Sequence, residues 1–194
     1  VNLCLKNKKI LNEKLYKEIW GKYIKEIENW KANIRGVDLN LNYPAGWQNA
    51  VKNKTKKGIT MPGPRDYPGP NPLSEIETKN IVNFTKLFNF DMTISLHSQG
   101  QEIYWNYLNY KVDNAYEIGK KLEKVSGYLL TKPDYYSSFA GYKDWFIENF
   151  RKPGYTIEIG KGKEGRPLPL ENADKIYEEV EEIVLNAIDE CSNI

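Results

Sequence analysis

Met92-Thr93-Ile94-Ser95-Leu96-His97 and Tyr155-Thr156-Ile157-Glu158-Ile159-Gly160 are the two stretches whose reading decides the fold. Successive side chains of a strand point to opposite faces, so Met92, Ile94 and Leu96 share one face while Thr93, Ser95 and His97 share the other. The second stretch repeats the arrangement, with Tyr155, Ile157 and Ile159 opposite Thr156, Glu158 and Gly160. Each strand therefore buries an apolar face and carries one chemically capable side chain, His97 or Glu158, on its polar face.

Helical patterns alternate with these strands. Leu15, Ile19, Trp20, Tyr23, Ile24 and Ile27 space a helix over 12–30, and Ser74 with Glu77 reads as a capping box opening a helix that runs to about Phe88. Ala115, Ile118, Leu122 and Val125 mark another, Asp144 to Phe150 a shorter one, and Ala173 to Cys191 a long one that should lie along the sheet. Ile103 and Trp105 suggest a further strand. The alternation predicts an α/β domain over residues 1–194, and no internal repeat divides it. Between Asn33 and Pro72, Pro44, Pro62, Pro64, Pro68, Pro70 and Pro72 interleave with Gly46, Gly58, Gly63 and Gly69, which predicts a long irregular segment lining a site.

Composition narrows the function. The 194 residues carry 28 basic and 26 acidic side chains, a formal charge of +2 spread along the chain, which argues against a nucleic-acid partner. Aromatics make up 13%, with 14 Tyr and 5 Trp, a bias suited to a recognition cleft. Cys4 and Cys191 lie at opposite ends, outside any CxxC pair, so neither a disulfide framework nor a cysteine metal site is indicated. No apolar run approaches the roughly 18–20 residues of a membrane span, and Val1–Lys6 lacks a signal-peptide layout, so no membrane partner and a cytoplasmic location are expected.

Taken alone, His97, the sole histidine, reads more readily as structural than as a ligand. Glu158 is harder to dismiss, because a carboxylate within an apolar strand pattern must be paired, solvated in a cleft or shifted in pKa, and function is the stronger reading there. In Arg35-Gly36-Val37-Asp38-Leu39-Asn40-Leu41-Asn42-Tyr43-Pro44 the asparagines read equally as backbone caps and as site residues.

Together, Trp30-Lys31-Ala32-Asn33, Arg35-Gly36-Val37-Asp38-Leu39-Asn40, Tyr43-Pro44-Ala45-Gly46-Trp47, Gly63-Pro64-Arg65-Asp66-Tyr67-Pro68-Gly69, His97-Ser98-Gln99-Gly100 and Gly154-Tyr155-Thr156-Ile157-Glu158-Ile159-Gly160 resemble the zinc carboxypeptidase family. The chain looks most like its bacterial γ-D-glutamyl-meso-diaminopimelate peptidases, which cut peptidoglycan stem peptides. The resemblance implies a mixed, mostly parallel twisted sheet with helices on both faces. It further implies a zinc-dependent hydrolysis in which the metal polarises a carbonyl and activates water. His97 would be the last zinc ligand and Glu158 the general base. Lys31 would stabilise the oxyanion, with Arg35 as the competing candidate. Asn40 would bind the substrate carboxylate, although Leu41 stands where an arginine usually follows. Tyr136, or Tyr135 if the register slips by one, would cover the substrate. Lys143 would set side-chain preference at the pocket floor, its ammonium favouring a carboxylate such as that of diaminopimelate.

The family takes its other two zinc ligands from an HxxE motif that this sequence does not contain. The resemblance thus implies a C-terminal portion of a catalytic domain, lacking N-terminal strands and the ligand-bearing helix. Such a chain is expected to bind zinc weakly or not at all and to be inactive or impaired as a peptidase. The alternatives are a noncatalytic pseudo-enzyme that binds muropeptides and an interaction domain. Missing strands would leave a sheet edge unpaired, and homo-oligomerisation through that edge is a further expectation.

Overall fold

A computed structural model describes residues 30–162 and 168–192. Apart from Trp30, the helix read over 12–30 falls outside them. Four strands form one sheet: β1 (Thr93–His97), β2 (Glu102–Tyr104), β3 (Leu129–Thr131) and β4 (Gly154–Glu158), in the order β1-β4-β2-β3. β1 pairs with β4 and β2 with β3 in parallel, and β2 runs antiparallel to β4. The α/β architecture is the one that the alternation predicts, and the mixed, mostly parallel sheet is the one that the resemblance implies; β1 forms an edge among the described residues.

Register decides which side chains meet. Ser95 stands beside Thr156 and His97 beside Glu158 across the parallel pair, while Glu102 stands opposite Glu158 and Tyr104 opposite Thr156 across the antiparallel one. Paired residues share a face, so these six line one side of the sheet. Ile94, Tyr155, Ile157 and Ile103 occupy the other side. There they pack with Ile118 and Leu122 of α3 (Ala115–Ser126) and Ile183 and Ala187 of α5 (Ala173–Cys191). On the polar side α4 (Tyr142–Phe150) crosses the N-terminal halves of β1 and β4, where Phe146 and Ile147 pack about Gly154. Trp145, Phe146 and Ile147 join Ala50 of α1 (Trp47–Lys56) and Val82 of α2 (Ile76–Phe88) in a second core. Helices thus cover both faces, and α4 stops short of the strand ends that carry His97 and Glu158.

Three local readings differ from what folds. α2 is capped by Glu75, in extended conformation, and not by Ser74. The Ser74 hydroxyl instead donates to Glu75 at 2.8 Å, so the Ser-x-x-Glu pattern is present without the capping geometry. α1 lies within the Pro/Gly-rich segment read as irregular. Its sequence WQNAVKNKTK buries only Ala50, so no apolar stripe betrays it. β3, three residues long, offers too few positions for a period of two to register.

The Pro-rich segment is held by backbone hydrogen bonds to the residues before it. Lys31 and Ala32 N–H donate to Pro64 O, Asp38 N–H to Tyr67 O and Leu73 N–H to Asn42 O, at 2.7–2.9 Å. Gly36, at φ +73°, lets the two runs approach: a Cβ there would lie 2.8 Å from the Gly63 nitrogen. This lacing sets Lys31 and Asn40 on one wall of a cleft whose floor is the polar face of the sheet.

Candidate active site

The C-terminal ends of β1 and β4 open into a cleft of about 780 Å³. His97, Tyr104, Thr156 and Glu158 reach it from the sheet, Lys31, Asn40, Arg65 and Asp66 from the laced loops, and Tyr136, Lys143 and Asp144 from the segment entering α4. One wall therefore offers cations and the sheet a carboxylate and an imidazole.

Lys31 is fixed by a buried partner. Its ammonium lies 2.9 Å from Asp38, a carboxylate only 1% exposed that also accepts from the backbone N–H groups of Asn40 and Asp66. The charge of Lys31 is felt at both reactive groups. His97 titrates below the ordinary histidine range, first because burial disfavours the imidazolium and then because the Lys31 ammonium repels it, with Asp38 opposing. Glu158 titrates above the ordinary carboxylate range. Burial is the main cause, the facing Glu102 adds to it and Lys31 works against it. A neutral imidazole beside a carboxylate of raised basicity suits proton transfer near neutral pH.

The raised pKa of Glu158 has a consequence for stability. An acid whose folded pKa lies above its unfolded value destabilises the fold once pH exceeds the unfolded value, and the penalty is complete above the folded one. Glu158→Gln removes that penalty. The variant is expected to melt higher than the parent at pH 7, with the gap closing as pH falls toward about 4.5 and absent below it, where both side chains are neutral. Scanning calorimetry across that range measures it, and a gap that is absent at pH 7 or widens in acid would contradict it.

Each candidate side chain has a definite place. Arg35 stands apart from the cleft, its guanidinium 67% exposed and its Nε 3.2 Å from Glu75, a carboxylate buried among Ser74, Asn33 and the chain turn. Asn40 lines the cleft, its Oδ1 accepting from Tyr142 N–H at 3.4 Å. Asn42, two residues on, is fully buried and spends its side chain on the loop, donating to Pro68 O, Asn71 O and Ser74 Oγ. Tyr136 lines the cleft from a 3-10 turn, Tyr135–Ser137, whose N–H is capped by Asp134. Tyr135 leans edge-on against Phe139 instead, with centroids 5.1 Å apart. Lys143 is buried on the cleft floor, its ammonium donating to Asn106 O and Asp144 Oδ1, each at 2.6 Å.

Tyr104, Thr156, Glu102 and Asp144 were not singled out in the sequence. The first three share the strand parity of Glu158, so the period-two reading that found Glu158 could have reached them. Asp144 carries no such mark. Among the described residues no cluster of three or more His, Cys, Asp or Glu side chains is arranged to hold a metal ion. His97 offers one imidazole, and Glu158 lines the cleft beside it. The described residues do not by themselves fit a zinc site of three protein ligands.

Comparison with known proteins places this geometry. A family model described as zinc carboxypeptidase matches residues 16–183. The γ-D-glutamyl-L-diamino acid endopeptidase 1 of Lysinibacillus sphaericus is 39% identical over 92% of this chain, which spans 41% of that relative's length. Among solved structures, carboxypeptidase A from Helicoverpa armigera superposes with a TM-score of 0.66 at 17% identity, covering 81% of this chain and 42% of that one. The murein-tripeptide amidase MpaA from Escherichia coli O157 superposes with a TM-score of 0.54 at 21% identity, covering 80% and 60%. The family match over residues 16–183 and the identity to that relative show that this chain belongs to the zinc carboxypeptidase family.

Proposed function

We propose that the cleft receives a peptidoglycan stem peptide and that the chain is the substrate-holding portion of a hydrolase acting on the bond between a γ-D-glutamyl residue and a diamino acid. What carries the reading is the placement of Glu158 beside His97, at the ends of register-paired strands, facing a wall that holds Lys31 and Asn40. Identity to an endopeptidase of that printed specificity over 92% of the chain supports the substrate class.

The chain's own residues have separable tasks. Glu158, its basicity raised by burial, takes the proton of an attacking water and later returns it to the leaving amine. Lys31, anchored on Asp38, offers a fixed positive charge to the oxygen that becomes negative as water adds. A lysine supplies this as a point charge, without the bidentate fork of an arginine. Arg35 is committed to Glu75 and has no part in this. Asn40 presents its amide to a substrate carboxylate, and Tyr136, 59% exposed at the rim, is placed to fold over a bound peptide.

The single histidine favours a second reading, a chain that binds such peptides without cutting them. One measurement separates the two. After dialysis, metal analysis of the 194-residue chain is expected to find well under one zinc per chain, because a lone imidazole does not fix the ion. A γ-D-glutamyl-meso-diaminopimelate peptide is expected to bind and to remain uncut. Stoichiometric zinc together with turnover that Glu158→Gln abolishes would establish hydrolysis by this chain. Absence of any binding would remove both readings.

A further inference from the structure

Among the described residues, the cations that line the cleft are Lys31, Lys54, Arg65 and Lys143. Each lysine ends on a carboxylate: Lys31 lies 2.9 Å from Asp38, Lys54 2.5 Å from Asp66 and Lys143 2.6 Å from Asp144. Arg65 is the exception. Its Nε stands 3.7 Å from Asp66 Oδ2, and Asp66 already receives Lys54 through its other oxygen. Among the described residues no hydrogen bond engages the guanidinium, whose side chain is 52% exposed. An arginine fork fits a carboxylate with two parallel N–H donors, and here that fork is unspent.

The backbone fixes Arg65 beside Lys31. Pro64 O accepts from the N–H groups of Lys31 and Ala32, and Asp66 N–H donates to Asp38 Oδ2, the oxygen that also holds the Lys31 ammonium. The residues on either side of Arg65 are thus tied to the stretch that carries Lys31, and the two cations share one wall.

A γ-glutamyl bond is made by the side-chain carboxyl, so the α-carboxylate stays free, three carbon atoms from the scissile carbonyl. An α-linked peptide has no anion at that place. Where Lys31 faces the carbonyl oxygen, the neighbouring cation on the same wall is within reach of that carboxylate. Lys54 and Lys143 would each have to leave a partner to meet it, and Arg65 would not. Resting on the proposed function, we infer that Arg65 is the specificity residue that recognises a γ-linked glutamyl group, by pairing its guanidinium with the free α-carboxylate. A stem peptide whose glutamyl α-carboxylate is amidated then loses this partner and is a poor ligand.

Calorimetric titration of the 194-residue chain with three dipeptides ending in meso-diaminopimelate tests this. The first residue is γ-D-glutamyl, γ-D-isoglutaminyl or 4-aminobutyryl, so the α-carboxylate is present, amidated or absent. The γ-D-glutamyl dipeptide is expected to bind at least about tenfold tighter than either of the others. Arg65→Gln should bring it down to the affinity of the isoglutaminyl dipeptide and leave the latter's own affinity unchanged, which a merely structural role for Arg65 would not do. Arg65→Lys, a point charge without the fork, should restore part of the preference. If the parent chain binds the glutamyl and isoglutaminyl dipeptides equally, yet both more tightly than L-alanyl-L-phenylalanine, the inference is overturned and the proposed substrate class stands. A preference that persists in Arg65→Gln overturns it too, and assigns the carboxylate to another cation of the wall. If none of the three binds more tightly than L-alanyl-L-phenylalanine, the proposed function fails and the inference fails with it.

Discussion

Asn42→Leu is expected to destabilise the chain by about 3–5 kcal/mol, among the larger effects available to a single substitution. Asn42 is fully buried, and its amide ties three separate pieces of backbone together. Nδ2 donates to Pro68 O at 2.9 Å, Asn71 O at 3.0 Å and Ser74 Oγ at 3.0 Å, while Oδ1 accepts from Glu75 N–H at 3.2 Å and Thr78 Oγ1 at 2.8 Å. Leucine has nearly the same volume, so the loss would come from stranded polar groups and not from a cavity. Each buried group left without a partner costs about 1–3 kcal/mol, partly relieved where the loop can admit water. Asn42→Asp should fare little better, since its second oxygen would face carbonyls that now receive N–H donors. Urea unfolding reads the effect as a shift in midpoint at unchanged slope. A loss below about 1 kcal/mol would show that the Pro-rich loop is held by its backbone bonds alone.

The contrast between Asn40 and Asn42 shows where sequence reading stops. Both sit in one run, two residues apart, and both are of a type that caps backbone or binds ligand with equal ease. Only the lacing of that run to the Pro-rich segment turns one into the cleft and the other into the interior. The same lacing separates Lys31, anchored on Asp38 within the cleft, from Arg35, drawn off by Glu75. These are tertiary outcomes with no local signal.

What was legible rests on periodicity. His97 and Glu158 are assigned to the same kind of face by a rule of two, and the fold sets them side by side because β1 and β4 pair in parallel with those residues in register. That β1 and β4 become neighbours, with β2 and β3 between them in the sequence, is not legible locally, since strand order is set by packing and crossover geometry. The apolar faces of α3 and α5 were legible for the same reason, because a stripe of period 3.6 survives in a helix that packs on one side only. α1 was not, because it contributes one buried alanine.

Asp144→Ala is the second substitution with a large expected effect, about 3–5 kcal/mol, and its cause is charge and not volume. Removing the carboxylate leaves the Lys143 ammonium buried with a single carbonyl partner, and it also removes the acceptor of Gly141 N–H in the first turn of α4. The double variant Lys143→Met with Asp144→Ala should recover the part of the loss that comes from the stranded charge, since breaking a buried pair strands a charge while replacing both members does not. A double-mutant cycle by urea unfolding checks this, and additive effects of the two substitutions would refute it. If the double variant regains stability, the ion pair is dispensable for folding, because an apolar or neutral floor serves the core equally well.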